Sequence, residues 1–256
     1  MWLRLRQIAL VAENLAAVLD DFNAVLGLEV CFNDPGVATF GLENALMPVG
    51  QQFIEVVAPT REGTAGGRQL QKRGGDGGYM VINHTDDHAA VKQRVTDLGV
   101  RTVLEFSEHG YDCLQLHPSD TGGSFLEIDF QTGGEDMSGP WAPAGKNWQP
   151  FVRTDVVKGI NGVEIQVADP AKVAARWSEI VAIDVVDGAG GHPTVPFTNA
   201  DVRFVPVTDG RGDGLGGIDL VAVDADRARA AAAARGKLRD DGVIMICGMR
   251  LNLVEA

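Results

Sequence analysis

Cysteine is scarce in this chain. Cys31, Cys113 and Cys247 are odd in number, far apart and in no C-x-x-C spacing. That pattern excludes a disulfide framework and a thiolate metal cluster, and it leaves reduced, buried thiols as the expectation. Basic residues are also in short supply: 22 Lys and Arg against 35 Asp and Glu give a formal net charge of −13. A surface of that sign repels a nucleic-acid backbone and an anionic bilayer, so neither is an expected partner. Long apolar runs are missing as well. After Arg4 and Arg6 the apolar stretch extends from Ile8 to Ala12 and stops at Glu13. It is too short for a secretory core, and nothing approaches a membrane span, so a cytoplasmic location is expected. No glycine-rich turn opens a helix directly after a strand, as a dinucleotide fingerprint requires, and no nucleotide cofactor is expected. The segments GGRQLQKRGGDGG and DGRGDGLGG therefore read as turns. Arg68, Lys72 and Arg73 form a local basic cluster on a solvated link.

What the chain does have is apolar content, 45% of 256 residues, enough to fill one large core or two ordinary ones. It also has an internal repeat. A short apolar strand, an acidic or amide turn, an amphipathic helix and a small residue recur in QIALVAENLAAVLDDFNAVLGLEV, MVINHTDDHAAVKQRVTDLGV, GVEIQVADPAKVAARWSEIVAIDV and GIDLVAVDADRARAAAAARGKL. Asn14, Asp86, Asp169 and Asp224 are placed to accept from the free N–H groups of a helix start, and Pro170 suits a first helical position. In the first helix Leu15, Val18, Leu19, Phe22, Val25 and Leu26 make one apolar face. Three further strands per repeat are expected: CFND, VATFGL and QFIEVVAP in the first; RTVLEF, CLQLHP and SFLEIDF in the second. Glycine and proline concentrate at 61–78 and 132–150, the first reading as a link between modules and the second as a link between domains. The expected fold class is α+β: four βαβββ modules in two tandem domains, 1–145 and 146–256, each with a curled mixed sheet covered by helices on one side.

The opening RQIALVAENLAAVLDDFNAVLGLEV and the closing stretch LHPSDTGGSFLEID, with His117, Pro118, Thr121, Gly122, Gly123 and Glu127, resemble the modules of the vicinal oxygen chelate superfamily, which includes glyoxalases, bleomycin-resistance proteins and dioxygenases. The closing motif is also similar to that of methylmalonyl-CoA epimerases and related lyases. The resemblance implies that two modules cup a cleft, each supplying one metal ligand from its first strand and one from its last. Carried over by position, these are Gln7 and Glu55, 48 residues apart, and Met80 and Glu127, 47 apart. The second pair of modules offers Gly162, a residue near Val205, Gly217 or Ile218, and Asn252, which leaves no metal site there.

Met80 stands where the family usually has histidine, and a thioether is a poor ligand for a hard or borderline cation. Gln7, Glu55 and Glu127 remain as a possible set for Mg²⁺, Mn²⁺, Fe²⁺, Zn²⁺ or Ni²⁺. Without a cation the two inward glutamates would repel, and one would hold its proton to unusually high pH. Tyr79, Met80 and His117 are the candidate substrate contacts. Two functions are therefore expected from the resemblance: a metal-dependent lyase, isomerase or dioxygenase acting on a carbonyl or aromatic small molecule through Glu55 and Glu127, or a metal-free protein that sequesters such a molecule. The chain is expected as a monomer or homodimer.

Overall fold

The computed structural model describes residues 1–255. The first repeat gives strand β1 (Leu3–Val11), helix α1 (Leu15–Leu26) and strands β2 (Leu42–Val49) and β3 (Gln52–Pro59). Helix α2 (Ala65–Arg73) leads to the second repeat: β4 (Gly77–Thr85), α3 (His88–Asp97), β5 (Thr102–Glu108), β6 (Tyr111–Leu116), the short α4 (Pro118–Thr121) and β7 (Phe125–Gln131). After a loop segment come β8 (Val157–Val167), α5 (Pro170–Val181), β9 (Val186–Asp187), β10 (Pro193–Pro196) and β11 (Asp201–Pro206). The fourth repeat is β12 (Gly214–Ala222), α6 (Ala225–Ala234), β13 (Ile244–Ile246) and β14 (Met249–Val254).

The strands form two seven-stranded mixed sheets, ordered β2-β3-β1-β4-β7-β6-β5 and β13-β14-β12-β8-β11-β10-β9. Within each repeat the first strand pairs in parallel with the last, as β1 with β3 and β4 with β7. The two repeats of a sheet join through their first strands, antiparallel, as β1 with β4 and β8 with β12.

Helix starts follow from local chemistry. Asn14, Asp169 and Asp224 accept from the third residue onward, as expected, and Gly27 closes α1 in the left-handed conformation. In the second repeat the cap is Asp87, which accepts from Ala90 N. Asp86 is instead drawn to the residue just before the first strand, where it accepts from Trp2 N at 2.7 Å. Three further expectations are corrected. VATFGL is not a strand: Pro35 and the Asp34 cap start a 3-10 helix over Pro35–Phe40, and the strand follows at Leu42–Val49. CFND forms one isolated bridge at Phe32. The glycine-rich 61–78 region is not all turn, because Thr64 caps α2 and Gly77 and Gly78 lie inside β4.

One face of each sheet shares a continuous core. Val18, Phe22 and Val25 of α1, Val91 and Val95 of α3, Trp177 and Ile180 of α5 and Ala228 and Ala232 of α6 pack with strand residues of both sheets. Helix α1 meets α6 and α3 meets α5, with Asp21 accepting from Arg235 Nε at 2.8 Å and from Lys237 Nζ at 2.6 Å. The opposite face of the first sheet carries a separate apolar cluster of Ala9, Val11, Phe53, Met80, Ile82, Tyr111 and Cys113. Trp141, Ala144 and Trp148, from the segment between the sheets, are part of that cluster. Among the described residues no helix is long and apolar enough to cross a membrane.

Candidate functional site

Strand alternation sends Gln7, Glu55, Met80 and Glu127 onto the face of the first sheet opposite the main helical core, the face on which α2 packs through Leu70. Gln7 and Glu55 sit on the paired strands β1 and β3, and Ala9 lies directly opposite both Glu55 and Met80. Glu127 is opposite Ile82 on β4, one register step beyond Met80. Glu55 and Glu127 are 8% and 7% exposed and Met80 and Tyr79 8% and 7%. Both glutamates are therefore buried, with only a small part of each residue open to solvent. Arg68 of α2 is exposed and close enough to act on the Tyr79 hydroxyl, while burial pushes that hydroxyl up to about 12.

Each acidic side chain is matched by hydrogen-bond donors. Glu55 accepts from Gln7 Nε2 at 2.9 Å and from Asn44 Nδ2 at 2.6 Å, one on each oxygen. Glu127 accepts from Gln115 Nε2 at 3.1 Å, and the same amide lies 3.5 Å from Met80 Sδ. Beneath it, Asp129 accepts from Tyr111 OH at 2.6 Å and from Leu114 N at 3.3 Å. Burial raises the Glu55 carboxyl above the usual carboxylate range, although its two amide donors pull the other way. Glu127 is raised further, by burial and by the neighbouring Asp129, and burial brings Asp129 up to about 7. Ligand atoms of Cys113, Glu127 and Asp129 lie within 4.8 Å of one another, the one such metal-capable grouping among the described residues. Its thiol is pushed far up by burial and by the adjacent carboxyls.

The intervening segment fills the other end of this face. Trp141 Nε1 donates to Gln7 Oε1 at 2.8 Å, and its ring packs edge-on against Tyr111 and beside His84. Trp148 meets Phe53 edge-on at 5.0 Å. The Arg6 guanidinium lies among Phe53, Trp141 and Trp148, donates to the Gln51 carbonyl and is brought down to about 10 by burial and Arg4. His84 is a buried β4 residue that accepts from Gln131 N at 3.3 Å.

The residues present do not fit a divalent ion at Gln7, Glu55 and Glu127. An indole N–H is a donor only, so Gln7 must turn its carbonyl to Trp141 and its NH₂ to Glu55. Gln7 then turns an N–H, not a lone pair, toward Glu55, and its oxygen is taken by the indole. His117 is not brought to this group: its Nδ1 accepts from Ser119 N at the cap of α4, beside Arg101. Sequence reasoning missed Asn44, Gln115, Asp129, Trp141 and Trp148. Asp129 had a signal, since it follows Glu127 by two on one strand. The tryptophans had none beyond being bulky apolar residues inside a presumed link.

On the second sheet the corresponding face carries a closed ionic network. Arg203 pairs with Glu164 and Asp219, Arg250 with Glu164, and Asn252 donates to both acids. Arg203, opposite Glu164 as Glu55 is opposite Ala9, takes the place that sequence reading gave to Val205.

Paired βαβββ modules with a buried polar cluster on the sheet face opposite the main helical core define a protein of the glyoxalase-like class. Residues 8–181, more than half of the chain, match the family model described as "Glyoxalase-like domain". The chain belongs to that family, and with it to the vicinal oxygen chelate superfamily; at that level it is a small-molecule enzyme or binding protein. No curated protein matches the chain. A hypothetical protein from Staphylococcus aureus shares the fold over 100% of both chains, at 16% identity and a TM-score of 0.66. Streptomyces coelicolor methylmalonyl-CoA epimerase, solved with 2-nitronate-propionyl-CoA, is 24% identical over 50% of this chain and 96% of its own, with a TM-score of 0.45. The Mycobacterium tuberculosis epimerase is 22% identical over 50% of this chain and 87% of its own, at 0.44.

Proposed function

We propose that the first-sheet cleft binds a small carbonyl-containing molecule and moves a proton on it, with Glu55 as base and Glu127 as acid. The observation that carries this reading is the contrast between the two carboxyl groups on one apolar face. Glu55 accepts two amide N–H donors, which favours its charged form. Glu127 lies within hydrogen-bonding reach of Asp129, and two carboxyls so placed hold a proton between them. A C–H bond next to a carbonyl would break with its proton passing to Glu55. The electron pair would move to the carbonyl oxygen, which takes the proton of Glu127, giving an enol that can collapse in either direction. Met80, Ala9 and Ile82 supply the apolar floor.

The test is deuterium exchange. 2-Oxo acids, α-hydroxy ketones and acyl thioesters are incubated with the protein in D₂O and followed by proton NMR. Loss of an α-proton signal that depends on the protein, and that disappears in Glu55→Gln and Glu127→Gln variants with intact near-UV circular dichroism, is the expected result. Exchange unchanged in both variants overturns the reading. The tryptophan-filled cleft favours a second one, a sequestering protein, and binding of panel members with no exchange selects it.

A further inference from the structure

The superfamily often binds a divalent ion on this face, yet the Gln7 amide oxygen is committed to a residue that belongs to neither repeat. Trp141 comes from the segment joining the sheets and is fully buried. We infer that the indole N–H of Trp141 takes the place of a cation at Gln7, locking the amide so that the Gln7 and Glu55 pair is closed to divalent metal. The inference shares its site with the proposed proton transfer; ion uptake and proton exchange are separate readouts and fail separately.

Three contacts make the lock. The indole donates to Gln7 Oε1 at 2.8 Å, Gln7 Nε2 donates to one oxygen of Glu55 at 2.9 Å, and Asn44 Nδ2 donates to the other at 2.6 Å. Reversing the amide would set NH₂ against the indole N–H and the carbonyl against a Glu55 oxygen, two repulsive contacts where water does not enter. Such a reversal leaves two buried groups unsatisfied at about 1–3 kcal/mol each. Retaining the orientation points an N–H, not a lone pair, at the space an ion would need. Met80 then withholds a fourth donor that any of these cations would accept strongly.

The lock and the missing histidine are separable. Untreated protein should contain far less than one equivalent of Mn, Fe, Co, Ni or Zn by elemental analysis. Its melting temperature should not move with Mn²⁺, Co²⁺ or Ni²⁺. Met80→His alone supplies the absent ligand but keeps the lock, so it should bind Co²⁺ weakly. Met80→His combined with Trp141→Phe should bind Co²⁺ at least about tenfold tighter, read by the visible spectrum of the ion and by calorimetry; tenfold corresponds to about 1.4 kcal/mol. Near-stoichiometric metal in the native protein overturns the inference without any variant. Equal affinity of the single and double variants, or no Co²⁺ binding by a folded double variant, overturns it as well.

Discussion

Trp141→Phe and Trp148→Phe remove the same atoms from the same cleft but leave different partners behind, so the pair isolates one hydrogen bond. Both indoles are essentially buried, at 0% and 2% exposure, and both substitutions lose comparable apolar area and leave comparable voids. Trp148 Nε1 donates at 3.3 Å to the carbonyl of Gly139, a partly exposed residue that water can reach. Trp141 Nε1 donates at 2.8 Å to Gln7 Oε1, on a side chain 2% exposed. After Trp141→Phe that oxygen has no donor and no solvent, a penalty of about 1–3 kcal/mol beyond packing. After Trp148→Phe the carbonyl is rehydrated at little cost. Urea unfolding followed by far-UV circular dichroism should therefore place Trp141→Phe about 1–2 kcal/mol below Trp148→Phe. Equal losses, or a greater loss for Trp148→Phe, would refute the assignment of Trp141 as the member whose acceptor has no solvent to replace it.

Three other outcomes follow from the geometry. Burial, with Arg6 and Arg4, brings His84 from its ordinary 6.5 down to about 4. The unfolded chain thus takes this proton first, and stability should fall as pH drops from about 6.5 to about 4, by up to about 3 kcal/mol. Because the raised carboxyls act in the opposite sense, the measurement is the difference between native protein and His84→Gln across that range, and a pH-independent difference counts against it. Gly78→Ala would set a Cβ 2.5 Å from Leu215 Cβ and the Leu215 carbonyl, forcing β4 and β12 apart. A loss of about 1–3 kcal/mol is expected in the same unfolding assay, and an unchanged midpoint would contradict the close approach. Asn199→Ala removes the side-chain acceptor of the Leu5 N–H at 2.8 Å and one of two side-chain donors to its carbonyl, at 3.0 Å, leaving Gln52 Nε2 on that oxygen. It should cost about 2–3 kcal/mol, and a neutral result would break the tie between the second half of the chain and β1.

Much of the fold was legible in the sequence because it rests on local, repeated signals. Turn residues at a fixed offset before an apolar helical face marked all four strand-helix units, and the family resemblance pointed to Gln7, Glu55, Met80 and Glu127, which the fold brings to one face. The failures also have local causes. Asp86 and Asp87 are both competent caps, and the choice between them went to Trp2 N, 84 residues away in sequence. VATFGL alternates like a strand, yet Asp34 and Pro35 begin a tight helix.

The sequence by itself determined the modules and their order, since each depends on periodicity within a few residues, while the four positions came from the family resemblance with near-equal spacing in support. Only the tertiary structure decided what those positions do to one another. It folded Trp141, 134 residues from Gln7, back onto the cleft, placed Asn44 and Gln115 on the two glutamates, and set Asp129 beneath Glu127. Those partners come from strands and a joining segment that no period connects. Hydrogen-bond donors facing Glu55, where a cation would need lone pairs, exist only once the chain has closed.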